Sequence, residues 1–217
     1  MDDLSLVQRI AVWTLPVVFA ITVHEVAHGW VARRFGDSTA YMLGRLTLNP
    51  IKHIDPIGTL LVPGLLLWMG GFIFGWAKPV PVAWENLRNP KRDMALVALA
   101  GPVANLLMAI FWALMMKAGL LLSGQLDLLA RPLVYMGAAG ISINVMLMVL
   151  NLLPLPPLDG GRVMAGLLPD KLATGYNRIE PYGFFILLGL LISGVLGYVM
   201  KPFVSIAQAG LYFMVGL

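Results

Sequence analysis

Long apolar runs, rather than the alternation of a soluble sheet, set the pattern of this chain. They cover roughly residues 10–32, 57–76, 94–116, 132–153 and 183–200, with a shorter run at about 203–217. A helix needs about 20 apolar residues to cross a bilayer, so the first five qualify or nearly do, and the last is short. The second run is interrupted by Pro63-Gly64 and Gly70-Gly71, which weaken a straight helix and predict a broken, re-entrant segment. Between the first two runs lies DSTAYMLGRLTLNP, where Thr39, Tyr41 and Leu43, then Leu46, Thr47 and Leu48, flank Gly44 and predict a small β-hairpin. The expected fold class is therefore an all-α polytopic membrane protein. It has about five to six membrane helices, including the re-entrant segment, plus a β-hairpin after the first helix.

Composition agrees. Of 217 residues, 59% are hydrophobic and 12% charged, and the mean hydropathy is +0.83. So few charges do not cover a water-facing surface, which excludes a soluble globular domain and makes the lipid bilayer a partner. The length leaves room for a single membrane-embedded domain, residues 1–217. The start, MDDLSLVQRI, lacks the basic opening of a signal peptide, so this segment is expected to stay in the mature protein. With 0 Cys, disulfides and thiolate sites are excluded, and a metal must be held by His, Asp or Glu. The net charge of +4 comes without any basic run that suggests nucleic acid.

The chemistry concentrates in VHEVAH, within the first apolar run. His24 and His28, at i and i+4, share one helix face at a spacing suited to one Zn²⁺, and Glu25 lies beside them within reach of a water. The alternative is that these groups merely glue helices together. A charge placed at the centre of a membrane helix costs about 2.5–3.5 kcal/mol, which makes that an expensive structural device. Catalytic zinc needs a third protein ligand, and His53, Asp55, Asp127, Asp159 and a few loop acids are the candidates. Asp159 is best placed, because the prolines of NLLPLPPLDGG end the fourth run at the membrane boundary and let the chain turn back. An Asp before two glycines is otherwise a turn or a helix cap. His53, in KHIDP, reads as a loop histidine near the headgroups.

HEVAH, GPVAN (Gly101 to Asn105) and NLLPLPPLDGG (Asn151 to Gly161), in this order, resemble the site-2 protease family of intramembrane zinc metalloproteases. The resemblance spans roughly residues 10–170. It implies one catalytic zinc ion with His24, His28 and Asp159 as ligands and Glu25 as the base. Asn105 and Asn151 are implied to hold the substrate or the developing oxyanion. The sequence departs from longer members in having no PDZ or CBS domain, so regulation by such domains does not carry over.

Topology tests the ligand set independently. If every run simply crosses, Asp159 emerges opposite the Arg33-Arg34 face and the ligands cannot meet. If 57–76 enters and leaves on one side, they do. Eleven of the 15 Lys and Arg then fall on the Arg33 face, leaving Arg9, Lys117, Arg131 and Lys201 on the other. That bias places the zinc nearer the cytoplasmic face of the cell membrane.

The expected function is an intramembrane endopeptidase cleaving transmembrane segments of other membrane proteins. An edge strand of the hairpin would pair with the locally unwound substrate. The rival is a metal or proton transporter using the same His/Asp/Glu cluster. Neither GxSG nor GxGD is present, which disfavours serine and aspartyl intramembrane proteases.

Overall fold

The computed structural model describes residues 4–62, 64–65 and 75–217. Helix α1 (Leu6–Arg34) starts at a capping box, in which Ser5 accepts the Gln8 N–H and the Gln8 side chain accepts the Ser5 N–H. A one-turn helix α2 (Thr39–Met42) and short turns at Pro50–His53, Pro56–Leu61 and Trp84–Asn86 lead to α3 (Pro90–Leu122) and α4 (Asp127–Asn151). Then come α5 (Asp159–Leu167), α6 (Asp170–Asn177), α7 (Glu180–Ile192) and α8 (Val195–Val215).

α1, α3 and α4 are long and apolar enough to cross a membrane. Pro16, Pro102 and Pro132 lie inside them, as membrane helices tolerate when neighbouring helices re-satisfy the freed backbone groups. Outward side chains such as Leu107, Phe111, Leu114 and Leu121 are exposed and suit lipid. Small residues set the spacing between α3 and α4. A Cβ on Gly140 would stand 2.1 Å from the Trp112 ring, and one on Gly137 would stand 2.5 Å from Met116 Cβ. α7 and α8 pack Leu187, Leu196, Met200, Leu211 and Val215 against Trp112, Ile141 and Val145. The Lys117 ammonium donates to Val215 O at the end of α8.

Two expectations need correction. Among the described residues there is no strand where the hairpin was expected. Asp37 accepts the Thr39 N–H and hydroxyl, which starts a helical turn instead. The alternating side chains have no core to face: Tyr41 is 53% and Leu43 63% exposed, while Ala40 and Arg45 are buried. Among the described residues, the number of candidate spans is also smaller than the expected five to six. Three helices qualify, or up to four if α7 and α8, bent by 83° at their junction, form one span. That break lies at Ser193-Gly194, where Gly194 has φ +76, whereas Pro202 sits inside α8.

The turn expected within 57–76 falls largely on residues 63 and 66–74, outside those described. The ends of this stretch are adjacent: Trp76 N–H donates to Gly58 O (3.0 Å) and Thr59 Oγ1 to Trp76 O (2.8 Å). Arg88 N–H likewise donates to Phe35 O (3.0 Å), so the chain leaves α1 and returns to α3 at one end of the bundle.

Candidate metal centre

The register of the helices brings the site together. His24 faces Asn105 and His28 faces Val97, so α1 and α3 run antiparallel. Asn105 also meets Asn144, and Trp112 meets Gly140, so α4 runs back parallel to α1. Asn151 therefore ends α4 at the end of the bundle where α1 finishes. Residues 152–158 turn the chain and Asp159 opens α5. The glycines after it permit the turn: a Cβ on Gly160 would lie 2.4 Å from Leu152 O, and one on Gly161 would lie 2.5 Å from Pro156 N.

His24 Nε2 and His28 Nε2 lie 3.1 Å apart, and Asp159 Oδ2 is 3.2 Å from the first and 3.3 Å from the second. All three residues are buried, and they form the group of side chains suited to a metal ion among the described residues. His28 Nδ1 is 2.7 Å from Val97 O, which can only accept, so this nitrogen carries the proton and Nε2 of the neutral ring is bare. His24 Nδ1, 2.6 Å from Asn105 Oδ1, is arranged alike. Three proton-free acceptors thus converge, and the buried Asp159 Oδ2 has no hydrogen-bond partner. Such an arrangement calls for a cation. Tetrahedral zinc with bonds of about 2.0–2.1 Å would hold its ligand atoms about 3.3 Å apart, close to what is seen, and an all-N/O donor set suits it. The residues present fit zinc.

Gly101 explains why GPVAN accompanies HEVAH. A Cβ there would stand 2.5 Å from both His24 Cε1 and His28 Nε2, so the rings close over a position that only glycine fills. Glu25, next to His24 in the chain, is partly buried, and its Oε2 accepts the Val80 N–H at 2.7 Å. The connector reaches this contact because Arg45 donates to Lys78 O (2.9 Å) and Asp37 accepts the Ala83 N–H (2.8 Å).

The other sequence candidates make contacts of their own. Asn151 donates to Leu147 O in its own helix (3.0 Å). Asp55 caps the turn at Pro56, and Asp127 accepts the Gly124 N–H. His53, expected as a loop histidine near the headgroups, ends the short turn Pro50–His53 and is buried, with Nε2 2.9 Å from Thr47 O. Sequence reasoning missed Val97 and Val80, which act through backbone atoms and carry no residue-type signal.

No protein-family model matches the chain, and neither does any solved structure. Curated proteins do. The chain is 39% identical over 194 residues to "Putative zinc metalloprotease YwhC" of Bacillus subtilis (strain 168), covering 88% of this chain and 84% of that protein. It is 33% identical over 184 residues to "Putative zinc metalloprotease Rip2" of Mycolicibacterium smegmatis, covering 82% of this chain and 66% of that protein. Over 114 residues it is 32% identical to "Regulator of sigma-E protease RseP" of Salmonella typhimurium, covering 50% and 25% respectively. With its paired histidines, its returning aspartate and these relatives, the chain belongs to the site-2 protease family of intramembrane zinc metalloproteases.

Proposed function

We propose that this membrane zinc metalloendopeptidase hydrolyses peptide bonds within transmembrane segments of other membrane proteins, with one ion held by His24, His28 and Asp159. The observation that carries the reading is the convergence of three buried, proton-free ligand atoms within 3.3 Å of one another. When bound, zinc supplies Lewis acidity that polarises the scissile carbonyl and acidifies water. Glu25 takes a proton from water as the water oxygen bonds to the carbonyl carbon. It then delivers a proton to the amine nitrogen as the C–N bond breaks. The Val80 N–H fixes one oxygen of this carboxylate. Asn105, with its oxygen on the His24 ring, orients that ligand. Asn151, at the end of α4, remains the candidate for a contact to the substrate or the oxyanion.

A transmembrane substrate must be locally unwound, because its peptide bonds are otherwise shielded by helical hydrogen bonds. We place the ligand-bearing end of the bundle at the cytoplasmic face of the cell membrane. The support is the gathering there of Arg33 and Arg34, the connector's Arg45, Lys52, Lys78 and Arg88, and Lys91, Arg92 and Arg162.

The test is metal content together with cleavage of a panel of single-pass membrane proteins. Glu25→Gln is expected to retain zinc while cleavage falls by on the order of 10²–10⁴-fold. Asp159→Ala is expected to lose both. Zinc lost from Glu25→Gln would make Glu25 a ligand, as in a transporter, and remove the assignment.

A further inference from the structure

The two imidazoles are oriented by unequal partners. Val97 O, facing His28, is a backbone carbonyl that cannot turn round. Asn105, facing His24, is a side-chain amide that can. Flipped by 180°, it would donate from Nδ2 to the ring, move the ring proton to Nε2 and remove the lone pair a metal requires. Something has to hold the amide. Asn105 Nδ2 donates to Ala20 O in α1 (3.2 Å) and to Asn144 Oδ1 in α4 (3.0 Å). Asn144 Nδ2 donates in turn to Gly140 O (2.9 Å), one turn back in α4. Both asparagines are 0% exposed. The relay ends on backbone carbonyls, which only accept, so the direction of every bond in it is fixed.

We propose that Asn144 is a positioning residue: acting through Asn105, it holds His24 in the tautomer that presents Nε2 to the metal. The inference rests on the zinc-site reading above. It makes α4 responsible for two parts of the site, because this helix leads through residues 152–158 to Asp159 and also sets the ring that Asp159 must meet. Formation of the ligand set then depends on how α4 packs against α1 and α3. Buried asparagines that only glue helices together would affect folding and leave the metal affinity of the folded protein unchanged.

The experiment measures zinc affinity by chelator competition, and the visible spectrum of the Co²⁺ form, on detergent-purified protein. The variants are Asn144→Ala, Asn105→Ala, the double variant and Val145→Ala. Loss of a group that orients a metal-ligating histidine costs about 10–100-fold in affinity. Asn144→Ala is expected to weaken zinc by tenfold or more and to change the Co²⁺ spectrum. Asn105→Ala should do at least as much, and the double variant should be no weaker than Asn105→Ala alone. Val145→Ala, equally buried on the same helix, should lower thermal stability with affinity within twofold of wild type. Asn144→Ser supplies the same comparison if the alanine variant does not fold. Asn144→Ala binding within twofold of wild type, or a double variant whose loss is the product of the single losses, overturns the inference alone. Wild-type protein that takes up no zinc overturns the site reading and this inference together.

Discussion

The bundle that carries the candidate metal centre and the connector between α1 and α3 are held by different physics. In α1, α3 and α4 the backbone satisfies its own hydrogen bonds, so the helices need only close packing and a few polar contacts between them. Gly101, Gly137 and Gly140 supply the closeness, and His24, His28, Asn105 and Asn144 supply the contacts. The connector has little regular structure among its described residues, and its backbone groups are met one at a time by side chains. Asp37 serves Thr39, Ala83 and Asn86, Arg45 serves Lys78 and Pro79, and Glu25 serves Val80. Helix geometry therefore places His24, His28 and Asp159, while single charged residues shape the chain that lies against Glu25.

Separating the two regions by mutation sharpens this contrast. The largest effect is expected for Gly101→Ala. Its methyl would stand 2.5 Å from both imidazoles, which their Nδ1 contacts prevent from yielding. Zinc affinity should fall by about a hundredfold or more while helix content by circular dichroism is kept. Retained zinc would show that the rings can move and that the bundle is less constrained than its contacts indicate.

Asp37→Ala strikes the connector instead. It removes an acceptor shared by several donors and should cost about 2–3 kcal/mol of local stability. Hydrogen exchange should rise at residues 83–86 with zinc affinity within twofold of wild type. The same anchor has a pH signature. Burial pushes the Asp37 carboxyl up, but bonds from the Thr39 side chain and backbone, the Ala83 N–H and Asn86 outweigh it and leave the pKa below the usual carboxylate range. Because the folded pKa is the lower one, the stabilisation is complete above the unfolded value of about 4. It is lost as pH falls through the folded value. Limited proteolysis of the connector should therefore rise only in acid for wild type, and at neutral pH already for Asp37→Ala.

The smallest effect is expected for Arg45→Ala, which frees the Lys78 and Pro79 carbonyls. Amide exchange at residues 78–80 should rise several-fold and cleavage should fall by about threefold, with metal content unchanged. Loss of zinc here would mean that the connector also supports the ligands.

How far the site was legible in the sequence follows the same division. The approach of His24 to His28 was readable because 3.6 residues per turn puts i and i+4 on one face. The return of Asp159 towards these imidazoles was readable because prolines break the helix before it. The re-entry of the chain at one end of the bundle was inferred from where the ligands had to meet, and the Arg88–Phe35 bond now closes that connector. The hairpin was misread because Thr39, Tyr41 and Leu43 alternate in type without facing a core, while Asp37, outside the alternation, dictates a helical turn. The C-terminal part was read as two apolar runs, 183–200 and about 203–217, from hydrophobicity alone. The chain bends instead at Gly194, whose positive φ no pattern of hydrophobicity reports.

The sequence by itself determined membrane residence, the donor atoms available for a metal and the helical face that carries two of them, because composition and periodicity are local properties. Only the tertiary structure decided which atoms complete the site. Val97 O on His28, Asn105 on His24, Asn144 behind Asn105 and the Val80 N–H on Glu25 all join residues far apart in the chain, and two of these partners are backbone groups common to all residues but proline. Such contacts exist only once α1, α3 and α4 have packed in register, and that register is set by the close approach of whole helices rather than by any one residue type.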